Sequence, residues 1–109
     1  MKIFLEWLDN LITIYRGTSV HNKNGRYWTT NKEWARQFTQ SGQDSEILTA
    51  KIDPTKIFKP DPLPNATDEN ELNQAVQTAR NQGFLAVWVN EGLNEPNSVY
   101  ILSKGALKF

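Results

Sequence analysis

Apolar and polar residues alternate along the chain with a period that changes several times. The first block has apolar residues at the i, i+3, i+4 and i+7 spacing of one helical face, and it predicts a short N-terminal helix. Its apolar members are Phe4, Trp7, Leu8 and Leu11. A β-branched and aromatic run at residues 12–15 then predicts a strand that ends at Arg16 and Gly17. Turn-forming Asn and Gly residues at 21–25 separate it from a second predicted strand at 26–29.

A capping box predicts the start of the next helix. Thr30 precedes Glu33 by three residues, so the Thr30 hydroxyl and the Glu33 carboxylate can satisfy each other's backbone amides. One apolar face follows, and Ser41 and Gly42 predict its end. That face consists of Trp34, Ala35 and Phe38. A buried strand is expected at residues 46–53, stopped by Pro54, with another short strand at 57–58.

The second half of the chain contains the clearest helical pattern. Three prolines at residues 60–64 predict an extended surface connection. From Thr67 the sequence offers an N-cap with acidic residues in the first helical turn, and Gly83 occupies the position of a C′ glycine. Between them, the apolar face comprises Leu72, Ala75, Val76 and Ala79. Continuous apolar residues at 84–89 predict a strand buried on both faces, and two further strands are expected at 99–102 and 106–109.

The order of these elements indicates one α+β domain over residues 1–109. About three helices alternate with short strands, and too few helical crossovers separate the strands for a doubly wound parallel sheet. A mainly antiparallel or mixed sheet is therefore expected. We find no internal repeat and no linker that would divide the chain.

Composition narrows the possible chemistry. The chain has 109 residues, with 12 Lys and Arg against 12 Asp and Glu, and this balance argues against a protein that mainly neutralises nucleic-acid phosphates. It has no cysteine and only His21 as histidine, so thiolate chemistry and multi-histidine metal sites are excluded. No apolar stretch reaches the roughly 20 residues that span a bilayer, and the N-terminus reads poorly as a signal peptide. We expect a soluble protein, with the cytoplasm as the default location and no metal cofactor.

The candidate functional residues lie at two predicted strand ends. Tyr15, Arg16 and Gly17 end the first strand, and residues 27–30 (Tyr-Trp-Thr-Thr) end the second. If the strands are neighbours, a guanidinium and two threonine hydroxyls meet beside aromatic rings, which suits a phosphorylated, ring-bearing ligand. Gly17 would allow close approach of the ligand, and the following helix would add oriented amides. In the alternative interpretation Arg16 forms a surface ion pair, Thr30 is only a cap and Trp28 is only a core residue.

The arrangement of these motifs over residues 12–57 resembles the ADP-ribosyltransferase superfamily. The resemblance consists of Tyr-Arg-Gly-Thr at 15–18, Gly-Arg-Tyr-Trp-Thr-Thr at 25–30, a capped helix and the strand that leads to Pro54. In the branch with an Arg, Ser/Thr and Glu triad, it implies a sheet split into two halves and NAD as the substrate. Arg16 would hold the NAD phosphates or ribose, and Thr29 with Thr30 would replace a Ser-Thr-Ser element. The remaining cofactor-binding positions would be Tyr15, Gly17, Thr18, Tyr27, Trp28 and Phe38.

The same resemblance extends to the late strands and implies a catalytic carboxylate. The family's glutamate lies at or just before the final catalytic strand, where this chain has Asn97 and Ser98. Glu95 is the preferred candidate and Glu91 the alternate. Such a carboxylate stabilises the oxocarbenium-like centre formed when nicotinamide leaves the ribose, by a logic that parallels glycoside hydrolysis.

Two functions follow from the resemblance. The first is a mono-ADP-ribosyltransferase, a glycosyltransferase in reaction class, that modifies a macromolecule. Small family members occur among phage-encoded and bacterial accessory proteins, which suggests a toxin or anti-defence role, with a host or defence protein as acceptor in the host cytoplasm. The second is a catalytically inactive binding module that acts as an inhibitor or adaptor. A third interpretation, independent of the family, is a structural α+β protein in which Arg16 and Thr29 never meet.

Overall fold

One mixed sheet organises the computed structural model, which describes residues 10–18, 26–37 and 46–109. In this part of the chain six strands lie in the order β3-β1-β2-β6-β5-β4, and all neighbouring pairs are antiparallel except β4 and β5. The α+β class with a mixed sheet is therefore confirmed. The strands are β1 (Ile12–Thr18), β2 (Tyr27–Thr29), β3 (Glu46–Ile52), β4 (Ile57–Phe58), β5 (Ala86–Val89) and β6 (Ser98–Ile101).

Side chains on the two faces of the sheet enter two separate apolar clusters. Alternation along β5 sends Ala86 to one cluster and the fully buried Val87 and Val89 to the other, so this strand is buried on both faces as predicted. The first cluster centres on Ile14, Trp28, Ala50, Ile52, Val99 and Ile101. The second is completed by a helix that packs against β5.

That helix, which we call α2, spans Glu69–Asn81. Its N-cap is Asp68, whose carboxylate accepts hydrogen bonds from the amides of Asn70 and Glu71, one residue later than the cap expected at Thr67. The predicted apolar face is confirmed, with Leu72 and Ala79 buried. The predicted C′ glycine is also confirmed, because Gly83 has a φ of +83° that residues with a Cβ rarely adopt.

The first described helix, α1, spans Lys32–Arg36 and differs from the prediction in its cap and its end. Asn31, not Thr30, is the N-cap: its side-chain oxygen accepts from the Trp34 amide at 2.9 Å. The predicted reciprocal bond with Glu33 is not formed, since this residue pairs instead with Arg36 at 3.4 Å on the surface. The helix ends at Arg36, before the end expected at Ser41 and Gly42.

The sheet is continuous, but its junction between β1 and β2 is narrow. β1 pairs with β3 along seven residues from Ile12 to Thr18, whereas its only register partner on β2 is Tyr15 with Thr29. The expected division into two halves is thus not a division into two sheets. This single pair connects β3 and β1 to the remaining four strands, and the expected split is not observed in the described residues.

The C-terminal residues do not form the strand expected at 106–109. Lys104–Ala106 is a 3₁₀ turn, and the only β pairing there is an isolated bridge between Lys108 and Lys51. A second 3₁₀ turn, Pro54–Lys56, precedes β4. Residues 4–9 of the predicted N-terminal helix and the predicted turn at 21–25 lie outside the described residues. Neither described helix has the length and apolar character needed to cross a membrane.

Candidate functional site

A cavity of about 370 Å³ lies at the narrow junction of β1 and β2. The ends of these two strands form part of its wall, with contributions from α1, from the segment that precedes α2 and from the chain on either side of the loop between β5 and β6. Its volume is within the range of small-molecule sites. The lining residues are Tyr15, Arg16, Gly17, Tyr27, Thr29, Trp34, Ala35, Ala66, Thr67, Glu91 and Ser98.

Arg16 supplies the positive charge of this cavity. Only 9% of the residue is exposed, and its Nη1 donates a 2.8 Å hydrogen bond to the carbonyl of Tyr27 across the β1/β2 junction. The bond holds the guanidinium beside the cavity. Burial lowers the pKa of Arg16 from its ordinary value, because desolvation disfavours the charged form. Even so, a guanidinium stays protonated at neutral pH, so the wall of the cavity carries a buried cation.

Two hydroxyl residues lie side by side in the cavity wall. Thr29 on β2 and Ser98 on β6 are direct partners across the antiparallel pair, and their exposed fractions are 4% and 2%. Thr29 Oγ1 accepts a 3.0 Å hydrogen bond from the amide of Asn31. This bond connects the end of β2 to the cap of α1, and it leaves the hydroxyl hydrogen of Thr29 able to donate.

The distribution of buried polar residues sets this cavity apart from the rest of the fold. Within the described ranges, the buried polar or charged residues are Arg16, Thr29 and Ser98, and all three line it. Burying polar groups costs free energy unless they find hydrogen-bond partners. Their concentration at one cavity makes it the polar part of an otherwise apolar interior in the described ranges.

Aromatic rings form the apolar part of the wall. Tyr15 and Tyr27 lie on β1 and β2, and Trp34 lies on α1. Tyr27 packs edge to face against Tyr100, with ring centroids 5.0 Å apart, so its ring orientation is fixed. The pKa of Tyr27 is raised, mainly by burial and further by Tyr100 and Glu91, so its phenol is neutral at neutral pH. The rings offer flat surfaces to a planar ligand group.

Glu91 brings a carboxylate to the cavity because the residue before it is anchored. Asn90, immediately after β5, donates its amide to the carbonyl of Pro64, and its own carbonyl accepts from the amide of Ala66, both at 2.8 Å. The Asn90 side chain also accepts from the Gly92 amide. The proline-rich connection is therefore part of the site: it forms a parallel bridge with Asn90 and brings Ala66 and Thr67 to the cavity.

The structure brings together six of the residues singled out from the sequence. Tyr15, Arg16, Gly17, Tyr27, Thr29 and Glu91 all line the cavity. Arg16 and Thr29 therefore border the same cavity, contrary to the separation that the third interpretation assumed.

Other singled-out residues lie elsewhere. Trp28 is buried in the apolar cluster with Ile14, Thr30 is exposed at the surface, and Glu95 is exposed outside the cavity lining. The preference for Glu95 over Glu91 thus disagrees with their placement, since Glu91 lines the cavity and Glu95 does not. Thr18 belongs to β1, but its side chain is outside the description, and Phe38 lies beyond the described residues.

Five lining residues were not selected from the sequence. Trp34 and Ala35 were placed on the apolar face of the helix, and the start of that helix directly after β2 was the available signal. Ser98 has a polar side chain in a strand whose neighbours are apolar, which also marks it. Ala66 and Thr67 had no such signal, because their position depends on the bridge to Asn90.

No three His, Asp or Glu side chains in the described ranges are grouped in a way that could hold a metal ion. Comparison of the chain with protein-family models, with curated proteins and with solved structures gave no match.

Proposed function

We propose that the cavity binds NAD and that the protein transfers ADP-ribose from NAD to a macromolecular acceptor. The observation that carries this proposal is the convergence of Arg16, Thr29 and Ser98 on one cavity that also contains aromatic rings and the Glu91 carboxylate. A guanidinium suits phosphate oxygens, the rings suit the nicotinamide, and the carboxylate suits ribose hydroxyls. The motif resemblance to ADP-ribosyltransferases selects NAD among ligands of this general chemistry.

In the proposed reaction the bond between the nicotinamide nitrogen and ribose C1′ breaks, and nicotinamide leaves with the bonding electron pair. The resulting oxocarbenium-like centre carries positive charge, which the Glu91 carboxylate stabilises electrostatically. The acceptor forms a new bond to C1′ through a lone pair and gives up its proton, for which the same carboxylate is the nearest base by placement in the cavity. Arg16 keeps the diphosphate in position while the bond breaks.

Charge placement supports these roles. Arg16 on β1 and Glu91 after β5 reach the cavity from opposite parts of the sheet order, since β2 and β6 separate their strands. A ligand that fills the space between them meets a cation at one side and an anion at the other. NAD has the matching order, with its diphosphate separated from the nicotinamide by one ribose. The acceptor we propose is a protein of a host or of a defence system.

A second candidate function is a binding module that holds NAD or a related nucleotide without cleaving it. The observation that favours it is Ser98, which occupies the start of β6, where the resembled family has its glutamate. A hydroxyl cannot provide the charge stabilisation of a carboxylate. On this alternative, Glu91 contributes to binding but not to bond cleavage.

Matched glutamine variants separate the two functions. With purified protein, NAD and a cell lysate, we expect wild type to release nicotinamide and to label lysate proteins from NAD that carries the label in its ADP-ribose part. Glu91→Gln should lower the rate by a factor on the order of 10²–10³, the loss typical of removing one group that stabilises transition-state charge. Glu95→Gln is the matched control, because this residue is exposed and outside the cavity lining, and its rate should equal that of wild type.

The remaining outcomes distinguish the candidates. NAD binding by wild type without nicotinamide release would favour the binding module. Absence of NAD binding by folded wild-type protein would refute both candidates. A large loss in Glu95→Gln with none in Glu91→Gln would show that the carboxylate has been assigned to the wrong residue.

A further inference from the structure

Thr29 and Ser98 form a pair of hydroxyls whose hydrogen-bonding capacities differ. They are direct partners on neighbouring strands, and both are buried in the cavity wall. Directly opposed residues in an antiparallel pair have Cβ atoms roughly 5 Å apart. The Thr29 oxygen already accepts from the Asn31 amide at 3.0 Å, so the group it offers to a ligand is its hydroxyl hydrogen. The Ser98 hydroxyl makes no hydrogen bond to another described residue, and its oxygen can accept.

The surroundings of this pair admit a flat ring. Tyr15 is the cross-strand partner of Thr29 on β1, and Tyr27 lies two residues before Thr29 on the same face of β2. Both rings line the cavity beside the hydroxyls. Gly17, two residues beyond Tyr15 on β1, also lines the cavity and adds no side chain to it. A planar group between the two tyrosines would therefore direct a substituent at its edge toward Thr29 and Ser98.

We infer that Thr29 and Ser98 together recognise a primary carboxamide on an aromatic ring, with Thr29 donating to the carboxamide oxygen and Ser98 accepting from its N–H. This inference rests on the proposed function, and it specifies which part of NAD the cavity takes: the nicotinamide ring occupies the space beside β2 and β6. A primary carboxamide has one acceptor and an N–H donor side by side, which complements the donor of Thr29 and the acceptor of Ser98. Ser98 is thereby a specificity-determining residue.

The test combines a protein change with a matching ligand change. The ligands are NAD and its 3-acetylpyridine analogue, in which a methyl group replaces the carboxamide NH₂. The proteins are wild type, Ser98→Ala and the control Asn97→Ala, whose residue is exposed and outside the cavity lining. Dissociation constants are measured by calorimetry, and thermal unfolding confirms that each protein is folded.

We expect wild type and Asn97→Ala to bind NAD about three- to tenfold more tightly than the analogue, the difference that one net hydrogen bond gives. Ser98→Ala should bind NAD more weakly by a similar factor and should bind the two ligands equally. Preference for NAD that persists in Ser98→Ala would overturn the inference and leave the proposed function standing. Wild type that binds neither ligand would overturn both. Should Ser98→Ala fail to fold, Ser98→Cys, which keeps the shape of the side chain at a slightly larger volume and has a weaker acceptor, should show a reduced preference.

Discussion

One face of the sheet is covered by a helix in one region and borders a cavity in another. Over β5, helix α2 covers the face, and Leu72 and Ala79 pack against Val87 and Val89. Over β1 and β2, the same face carries Tyr15, Thr29 and, on β6, Ser98, and it borders a cavity. The change occurs between neighbouring strands, because Val89 and Ser98 are direct partners across β5 and β6. Apolar packing therefore ends where the polar cavity begins.

The two regions of this face should therefore differ in role, one contributing mainly to stability and the other to ligand binding. The region under α2 buries apolar surface, which is the dominant favourable contribution to folding. The cavity region buries a guanidinium and two hydroxyls instead, and the desolvation of these polar groups offsets part of what burial contributes to stability. Substitutions under α2 should therefore change the free energy of unfolding, and substitutions in the cavity should change ligand affinity.

The largest effect is expected from Leu72→Ala. Leu72 lies on the buried face of α2, and truncating it leaves a void against Val87 and Val89. We expect the free energy of unfolding to fall by about 2–5 kcal/mol, the range for removing a leucine side chain from a core. Chemical denaturation measures this change. The NAD affinity of the folded variant should equal that of wild type, and a weakened affinity would show that the two regions are coupled.

Arg16→Gln should have a smaller effect, and it should act on NAD affinity more than on the free energy of unfolding. The change removes the cation from the cavity, and loss of a charge-assisted contact should weaken NAD binding by about 10- to 100-fold. Unfolding should change less than in Leu72→Ala, because the desolvation cost of the buried guanidinium offsets much of what its contacts contribute to stability. The measurements are titration calorimetry with NAD and denaturant unfolding.

Arg26→Gln is the matched control for this prediction. Arg26 also donates to strand carbonyls, those of Ile101 and Leu102 at 3.0 and 3.3 Å, but it is exposed and does not line the cavity. Its NAD affinity should be that of wild type. Equal losses of affinity in the two variants would contradict the assignment of Arg16, since a general loss of positive charge would then explain both.

Local signals predicted the elements well where one physical effect dominated. The helical spacing of Leu72 and Ala79 and the C′ glycine at Gly83 correctly predicted α2. The prediction of a strand at 106–109 was wrong, because an apolar run alone does not show whether a partner strand is within hydrogen-bonding distance. Lys108 forms only an isolated bridge with Lys51. The strand order, the parallel pairing of β4 with β5 and the single β1/β2 pair depend on long-range contacts.

The candidate site was predicted in part for the same reason. Arg16 and Thr29 could be placed together because both lie at the ends of strands expected to be neighbours. The sequence favoured Glu95 over Glu91, whereas Glu91 lines the cavity, because the proline-rich connection anchors the neighbouring Asn90. Thr67 was read only as a helix start, and its place at the cavity follows from that anchoring.

The smallest effect concerns α1, which borders the cavity through Trp34 and Ala35. The helix is short, so its position depends on its cap, and the Asn31 side chain provides that cap by accepting from the Trp34 amide. Asn31→Ala should lower the free energy of unfolding by about 1 kcal/mol. Thr30→Ala removes the residue that the sequence pattern favoured as cap, and it should have no measurable effect, because Thr30 is exposed.

If the cap only stabilises the helix, NAD affinity should be unchanged in both variants. If the cap also positions Trp34, NAD binding should be weaker in Asn31→Ala and unchanged in Thr30→Ala. We expect the second result, since the bond from the Asn31 amide to Thr29 Oγ1 makes the cap continuous with the cavity wall. Greater destabilisation by Thr30→Ala than by Asn31→Ala would contradict the assignment of the cap.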